Sequence, residues 1–285
     1  MTRIINGKII AEEIMQDLKL HIAYCKILPV LAIILASPSP ASLIYVNNKI
    51  KAAEKIGIKV ELYRMEENIT KQEIEQKVQE LNNRSEISAI IVQLPLYKHL
   101  DSFSILSTID PEKDVDGLHP INVGMLYSGN KPYFAPCTPL GIVKMLETQF
   151  EDLAGLNVAI IGRSNIVGKP LASLLIEKDA TVTLCHSKTK NIKYITQKSD
   201  IVVCASGQSL MFGRKYFNPN SVIIDVGINR TSDGKVVGDV LFDEVFGYVT
   251  AITKVPGGVG PMTIAYMLSN VCRAAGITIP PLPPE

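Results

Sequence analysis

Residues 156–175 read LNVAIIGRSNIVGKPLASLL, and this stretch decides the fold. Asn157 to Ile161 is a short apolar, β-branched run of the kind that forms a buried parallel strand. It stops at Gly162, a second glycine follows at Gly168, and Pro170 falls where a helix's first turn tolerates a missing N–H. Strand, glycine turn and helix start together gather free backbone N–H groups and a positive dipole end at one point, which suits an anion such as a nucleotide phosphate. A Walker A loop is excluded, because five residues separate the glycines and Pro170 stands where a Mg²⁺-binding hydroxyl is needed. The G-x-G-x-x-G fingerprint is not met either, since Ser164 replaces its middle glycine. A longer variant of that dinucleotide turn and a plain strand-to-helix turn with no ligand remain on equal terms at this point.

The next strand separates them. Ala180 to Cys185 runs into His186-Ser187-Lys188-Thr189, about where an NAD-binding domain carries a carboxylate for the ribose hydroxyls. Here a hydroxyl and a lysine stand instead, with Arg163 as a second cation. A carboxylate repels the extra phosphate of NADP, whereas these groups attract it, so the dinucleotide expected is NADP.

The whole chain is consistent with an enzyme. Its 285 residues suit two modest α/β domains or one large one, and 47% hydrophobic with 20% charged residues is ordinary for a globular enzyme. A net charge of +1 points to neither nucleic acid nor a membrane surface. No apolar run reaches the length of a membrane span and the N-terminus lacks a signal peptide's layout, so a cytoplasmic protein is expected. Five scattered cysteines form no C-x-x-C pair and the four histidines are equally dispersed, so buried free thiols are expected rather than disulfides or a metal site. No G-x-S-x-G elbow is present.

Earlier in the chain, Gly7–Tyr24 reads as an amphipathic helix with Ile10, Ile14, Leu18 and Ile22 at fourfold spacing. PVLAIILA (29–36) reads as a buried strand, and Ser39-Pro40 as an N-cap and first helical residue. The helix that follows ends at Gly57, and Ile58–Met65 alternates like a strand. Thr70-Lys-Gln-Glu73 is a capping box, and Ile87–Leu96 is another buried strand, interrupted by Pro95. This alternation predicts a parallel sheet with right-handed crossovers. The polar segment 110–117, DPEKDVDG, is a turn, and a helix is expected over about 140–148. Strands at 200–204 and 221–226 end in Ala205-Ser-Gly207 and Gly227-Ile228-Asn229, small residues suited to a ligand crevice. Val255–Pro261 is a glycine loop before a last helix from Pro261 to about Ala275, and IPPLPPE is too proline-rich for a helix, so it is expected either to hang free or to lie extended.

Five stretches in order, PASLIYVNNKIKAAEKIGI, VQLPL, PEKDVDGLHPINVG, PCTPLGIV with GRSNIVGKP, and VPGGVGPMT, resemble the bifunctional methylenetetrahydrofolate dehydrogenase/cyclohydrolase family. The resemblance spans nearly the whole chain. It implies an α/β fold in two parts: a folate-binding catalytic domain over 1–120 with a parallel sheet, and a Rossmann-like NADP-binding domain over 121–285. It places the active site in the cleft between them, with a final helix (about 262–275) packing back towards the first. It implies NADP-dependent oxidation of 5,10-methylene-tetrahydrofolate to the methenyl cation and hydrolysis of that cation to 10-formyl-tetrahydrofolate, with tetrahydrofolate derivatives as ligands, a homodimer and no metal.

By the same resemblance, Lys49 is the catalytic lysine, Tyr45 its companion, Gln93 the glutamine of VQLPL and Asp116 the carboxylate that holds the pterin. Gly162, Arg163, Ser164, Ser187 and Ile228 are implied for the cofactor, and Gly257, Gly258 and Pro261 lie beside the ligands. Taken singly these residues have plainer readings. An isolated helical lysine is a solvated charge, Tyr45 a half-buried core aromatic, and Asp114 and Asp116 Asx-turn residues. Gln93 in an apolar strand is odder, since a buried amide needs partners. Two stretches depart from the family pattern: Ala36-Ser-Pro-Ser39 before Ala41, and Lys254 where proline is common. Rival readings are a dehydrogenase lacking the hydrolase step, a different two-domain NADP-dependent dehydrogenase, and a nucleotide sensor with a dead site.

Overall fold

The computed structural model describes residues 2–37, 39–231 and 233–278. The chain opens with β1 (Arg3–Ile5) and α1 (Gly7–Ala23), then alternates β2 (Val30–Leu35), α2 (Pro40–Ile56), β3 (Lys59–Arg64), α3 (Lys71–Asn83) and β4 (Ala89–Val92). The helices α4 (Ser102–Leu106), α5 (Pro120–Tyr127) and α6 (Cys137–Glu147) follow. A second alternation runs β5 (Asn157–Ile161), α7 (Gly168–Ile176), β6 (Thr181–Cys185), α8 (Ile192–Gln197), β7 (Ile201–Cys204) and β8 (Val222–Asp225). The chain then forms the hairpin β9 (Asn229–Arg230) and β10 (Val236–Val237), α9 (Phe242–Val245), β11 (Ala251–Thr253) and α10 (Val259–Ala274). Two compact units result, one of Glu13–Cys137 with residues 264–278, the other of residues 2–12 with Thr138–Thr263.

The first unit is built on a parallel sheet of order β3-β2-β4. Its α2 starts at Pro40, as the sequence predicts, but the Ser39 side chain makes no capping bond. The Ser39 N–H donates instead to Ser37 Oγ at 3.3 Å. At the other end Gly57 takes φ 96°, a left-handed conformation open to glycine at little cost, and its N–H and that of Ile58 close onto Glu54 O and Ala53 O. The capping box at Thr70 and Glu73 is present, worth about 1 kcal/mol to α3. That helix buries Ile74, Val78 and Leu81 in a core shared with Ala32, Ile34, Ile90 and Val92. Each such side chain contributes roughly 1.5–3 kcal/mol on burial. The ladder of β4 is shorter than the apolar run suggests: it stops at Val92, and the chain turns through a cis Leu94–Pro95 bond.

The second unit carries a six-stranded parallel sheet of order β1-β11-β8-β7-β5-β6. Val158–Ile161, Ile201–Cys204 and Val222–Asp225 are buried along their whole lengths, which explains why they read as continuous apolar runs. β1 and β11 pair in register, Arg3 with Ala251 through Ile5 with Thr253. Three residues each is too short for a periodic signal, and the sequence reading assigns no strand there. All five cysteines are free and four are buried. The final helix begins at Val259, two residues earlier than expected, and the proline-rich tail lies outside the described residues. No helix among the described residues is long and apolar enough to cross a membrane.

Candidate active site

In the unit built on β3-β2-β4, α2 carries Tyr45 and Lys49 one turn apart on the same face. Lys49 is only 9% exposed, and its Nζ lies 3.7 Å from Asp116 Oδ2. A solvated lysine is therefore the wrong description, and two residues 67 positions apart are brought into one ion pair. Tyr45 is 38% exposed, so part of it is accessible from solvent. Gln93 follows directly on β4, and its backbone N–H donates to Ile34 O at 2.9 Å. Its Nε2 donates to Leu94 O at 2.6 Å, while its Oε1 is buried with no partner among the described residues. Neither end of the Gln93 amide is hydrogen-bonded to the Lys49 amine. A buried acceptor without a donor is a strained arrangement that a ligand N–H or a water relieves.

Asp116 owes its placement to a set of buried polar groups, of which the sequence reading names only Asp114, as an Asx-turn residue. Asp114 accepts from the His119 N–H at 2.7 Å and from Asn122 Nδ2 at 2.9 Å, which folds segment 110–117 against the start of α5. The Val115 carbonyl accepts from Asn270 Nδ2 at 2.9 Å and from the Cys137 thiol at 3.2 Å. Cys137 Sγ also lies 4.0 Å from Asp116 Oδ1, and burial, with the Asp116 charge adding, pushes its thiol well above the ordinary range. Asn270 is legible only as a polar residue in an apolar helix, and Asn122 lies where the sequence reading assigns no helix, so neither stands out.

Burial pushes the Asp114 carboxyl up to about 7, against the donors that favour its charge. A folded pKa above the unfolded value near 3.9 means that the folded chain holds the proton longer. The stability this contributes is complete below about pH 4 and is lost as pH rises through about 7. The unfolding free energy of the parent minus that of Asp114→Asn is therefore expected to fall between pH 4 and 7 and to level off above. Urea melts across that range check it, and a difference that rises with pH contradicts it.

In the other unit, the turn after β5 is set by close backbone approach. Gly162 takes φ 128°, and a Cβ there would lie 2.1 Å from Ala205 O. A Cβ on Gly168 would lie 1.9 Å from Gly162 O, so the turn folds back on itself. Ser164 holds the bend, accepting from Val167 N at its hydroxyl (3.2 Å) and from Lys169 N at its carbonyl (3.1 Å). Arg163 and Ser164 are exposed, as are Ser187 and Lys188 just beyond the adjacent strand β6. Ile228, beyond β8, is 46% exposed. All lie past the C-terminal ends of parallel strands, where such sheets bind ligands. A tight glycine turn at a strand end with exposed cations beside it fits a dinucleotide phosphate.

The glycine loop before α10 has Gly257 at φ 107°, its carbonyl accepting from Lys8 N at 3.0 Å; Gly258 follows, and Pro261 is the helix's third residue. Lys254, the departure from the family pattern, places Nζ 5.8 Å from the centre of the Phe242 ring, within cation–π range. Among the described residues no three His, Cys, Asp or Glu side chains gather as a metal site.

Residues 5–116 match the catalytic-domain model of tetrahydrofolate dehydrogenase/cyclohydrolase, and residues 136–278 match the NAD(P)-binding domain of the same family. The bifunctional protein FolD of Rickettsia peacockii (strain Rustic) is 51% identical over 278 residues, 96% of each chain. Among solved structures, the bifunctional methylenetetrahydrofolate dehydrogenase/cyclohydrolase FolD of Campylobacter jejuni superimposes with a TM-score of 0.94 at 43% identity, covering 97% of this chain and 99% of that one. The Trypanosoma brucei enzyme, solved with NADP cofactor and inhibitor, gives 0.92 at 36% identity over 96% and 97% of the two chains. A tight glycine turn flanked by cations in one unit, an ion pair between a buried lysine and Asp116 in the other, and two family domains matched in order lead to one assignment: this chain belongs to the tetrahydrofolate dehydrogenase/cyclohydrolase family.

Proposed function

We propose that this chain is a bifunctional, NADP-dependent methylenetetrahydrofolate dehydrogenase and methenyltetrahydrofolate cyclohydrolase, with Lys49, Tyr45, Gln93 and Asp116 as its reactive set. The observation that carries the reading is the Lys49–Asp116 pair at 3.7 Å, on a helix face that also offers the Tyr45 ring. NADP⁺, when bound, accepts a hydride from the one-carbon bridge of 5,10-methylene-tetrahydrofolate, leaving the 5,10-methenyl cation. The protein's part in that step is to bind and orient. Asp116 accepts from the side-by-side amino group and ring N–H of the pterin edge, Tyr45 packs against the rings, and the orphaned Gln93 Oε1 accepts a further donor from ligand or water.

Gly257, Gly258 and Pro261 line the ligands with backbone. In the second step water attacks the cationic carbon and loses one proton; the bond to N5 then breaks as N5 takes up a proton and the new hydroxyl gives up its own to become the formyl C=O, so one proton is released overall. This gives 10-formyl-tetrahydrofolate. Lys49 Nζ is the group we assign to proton movement at those atoms. An assay with methylene-tetrahydrofolate and either NADP⁺ or NAD⁺, following the methenyl and 10-formyl products, tests the reading. No turnover with either dinucleotide would sink it, and methenyl accumulation with only uncatalysed decay would leave a dehydrogenase alone.

For the dinucleotide, Gly162 and Ser164 receive the phosphates, Ile228 packs against the cofactor, and Arg163, Ser187 and Lys188 surround the ribose phosphate. NADP⁺ is accordingly expected to be preferred over NAD⁺. Ser187→Asp should shrink that preference by repulsion, measured as the ratio of kcat/KM values. Equal efficiency with both cofactors in the parent would remove the argument. A homodimeric, cytoplasmic enzyme is proposed on family resemblance, with light scattering as the test of the dimer.

A further inference from the structure

Asp239 is the carboxylate that no step above uses. It is fully buried, and no lysine, arginine or histidine among the described residues pairs with it. A buried carboxylate is costly unless donors surround it, and here they do. Its Oδ2 accepts from Ser206 N at 2.7 Å, Ser206 Oγ at 2.9 Å and Gly207 N at 2.9 Å. Its Oδ1 accepts from Asn229 Nδ2 at 2.9 Å. Ser206 and Gly207 lie just beyond β7, and Asn229 just beyond β8, so one side chain ties together the loops that leave two adjacent strands.

The remaining contacts extend the clamp. A Cβ on Gly227 would lie 2.2 Å from Asp239 Oδ1, so the loop that carries Ile228 is pressed onto the carboxylate. Ala205, next to Ser206, has its carbonyl 2.1 Å from where a Gly162 Cβ would sit, so the clamped loop also walls the glycine turn. Asp239 is itself held from behind, its backbone N–H donating to Asp225 Oδ1 at 2.9 Å. Of the segments assigned above to the dinucleotide, the Ile228 loop therefore rests on this anchor directly and the glycine turn through the loop after β7.

We infer that Asp239 is a positioning residue for the dinucleotide: it fixes the loops after β7 and β8 in the shape that receives the cofactor, and sets cofactor affinity without touching it. Full burial means that it acts only through Ser206, Gly207 and Asn229. The inference rests on the assignment of this crevice to NADP. Hydrolysis of methenyl-tetrahydrofolate requires no dinucleotide, and that supplies an internal control.

Asp239→Asn keeps the size and removes the charge and one acceptor. The variant is expected to bind NADPH at least tenfold more weakly by calorimetry and to raise the KM for NADP⁺ similarly, while methenyl hydrolysis without dinucleotide changes less than threefold. Adding Asn229→Asp restores an acceptor opposite the new amide and should return binding to within threefold of the parent. A merely structural role predicts that both activities fall together and that the second substitution rescues neither; that result overturns the inference, as does an Asp239→Asn affinity within twofold of the parent. If circular dichroism shows Asp239→Asn unfolded, Ser206→Ala and Asn229→Ala each cut one of its bonds from the loop side. About a threefold weakening in each supports the clamp, and none overturns it. A parent chain that fails to bind NADPH sinks the cofactor assignment itself and this inference with it, an outcome distinct from tight binding that ignores position 239.

Discussion

Lys49→Met is expected to abolish hydrolysis of the methenyl cation almost completely while lowering hydride transfer far less. The two steps make different demands. Hydride transfer moves a hydrogen and its electron pair together between bound ligands, with no obligatory proton at a side chain. Hydrolysis must take a proton from the attacking water and deliver one to the departing N5. Lys49 Nζ, largely buried and 3.7 Å from Asp116 Oδ2, is the one amine that the Tyr45–Asp116 cluster supplies among the described residues.

Methionine preserves the side chain's length and apolar stem and leaves no unpaired charge of its own, so the fold should survive. Asp116 loses a partner, but its side chain keeps 22% exposure and water can replace the amine. Proton-transfer contributions of this kind are typically ~10²–10⁴-fold. Following methenyl decay and NADPH formation on one preparation reads both rates. A Met variant that still hydrolyses within a few-fold of the parent would show that Lys49 is not the proton-moving group.

How much of this was legible in the sequence depends on what each residue answers to. Local rules held where the cause is local. The Gly57 cap, the Thr70–Glu73 box, the buried strand β5 and the turn at Gly162 all follow from spacing and backbone sterics within a few residues. Ser39 does stand at the N-cap before Pro40, but its hydroxyl makes no capping bond, a detail the pattern does not encode.

Non-local partners were the part that spacing could not give. The short β1 forms because β11, nearly 250 residues on, offers it a ladder. The Lys49–Asp116 ion pair and the Asn270 grip on Val115 join segments that no periodicity relates. Asp225 lies unremarked inside a predicted strand and Asp239 in a stretch to which the sequence assigns nothing, and only the fold shows one stacked behind the other with loop N–H groups gathered around them. The family resemblance reached Lys49, Gln93 and Asp116; it was silent on the buried groups that hold them.

Asp116→Ala is expected to weaken tetrahydrofolate binding in both reactions by roughly tenfold to a hundredfold while leaving NADP affinity nearly unchanged. The lost interactions are charge-assisted hydrogen bonds to the pterin edge, worth about 1.5–3 kcal/mol. Both reactions use the same pterin, so a shared anchor must show in both. The groups assigned to NADP extend from the other unit's sheet, which Asp116 does not belong to. The variant has a second consequence, because Lys49 is 9% exposed and Asp116 is its carboxylate partner. Removing that partner leaves an ammonium with little access to water, a costly state that bound folate must also contend with. Asp116→Asn separates the two effects. It keeps the shape beside Cys137 and one acceptor for the pterin, but supplies no charge to either the pterin or Lys49. If geometry dominates, Asn should retain most of the folate affinity; if charge dominates, Asn and Ala should be alike. Initial rates against folate concentration for each step, with NADPH titrations alongside, distinguish these outcomes. Loss confined to one of the two reactions would mean that Asp116 serves that step's chemistry and is not the common anchor.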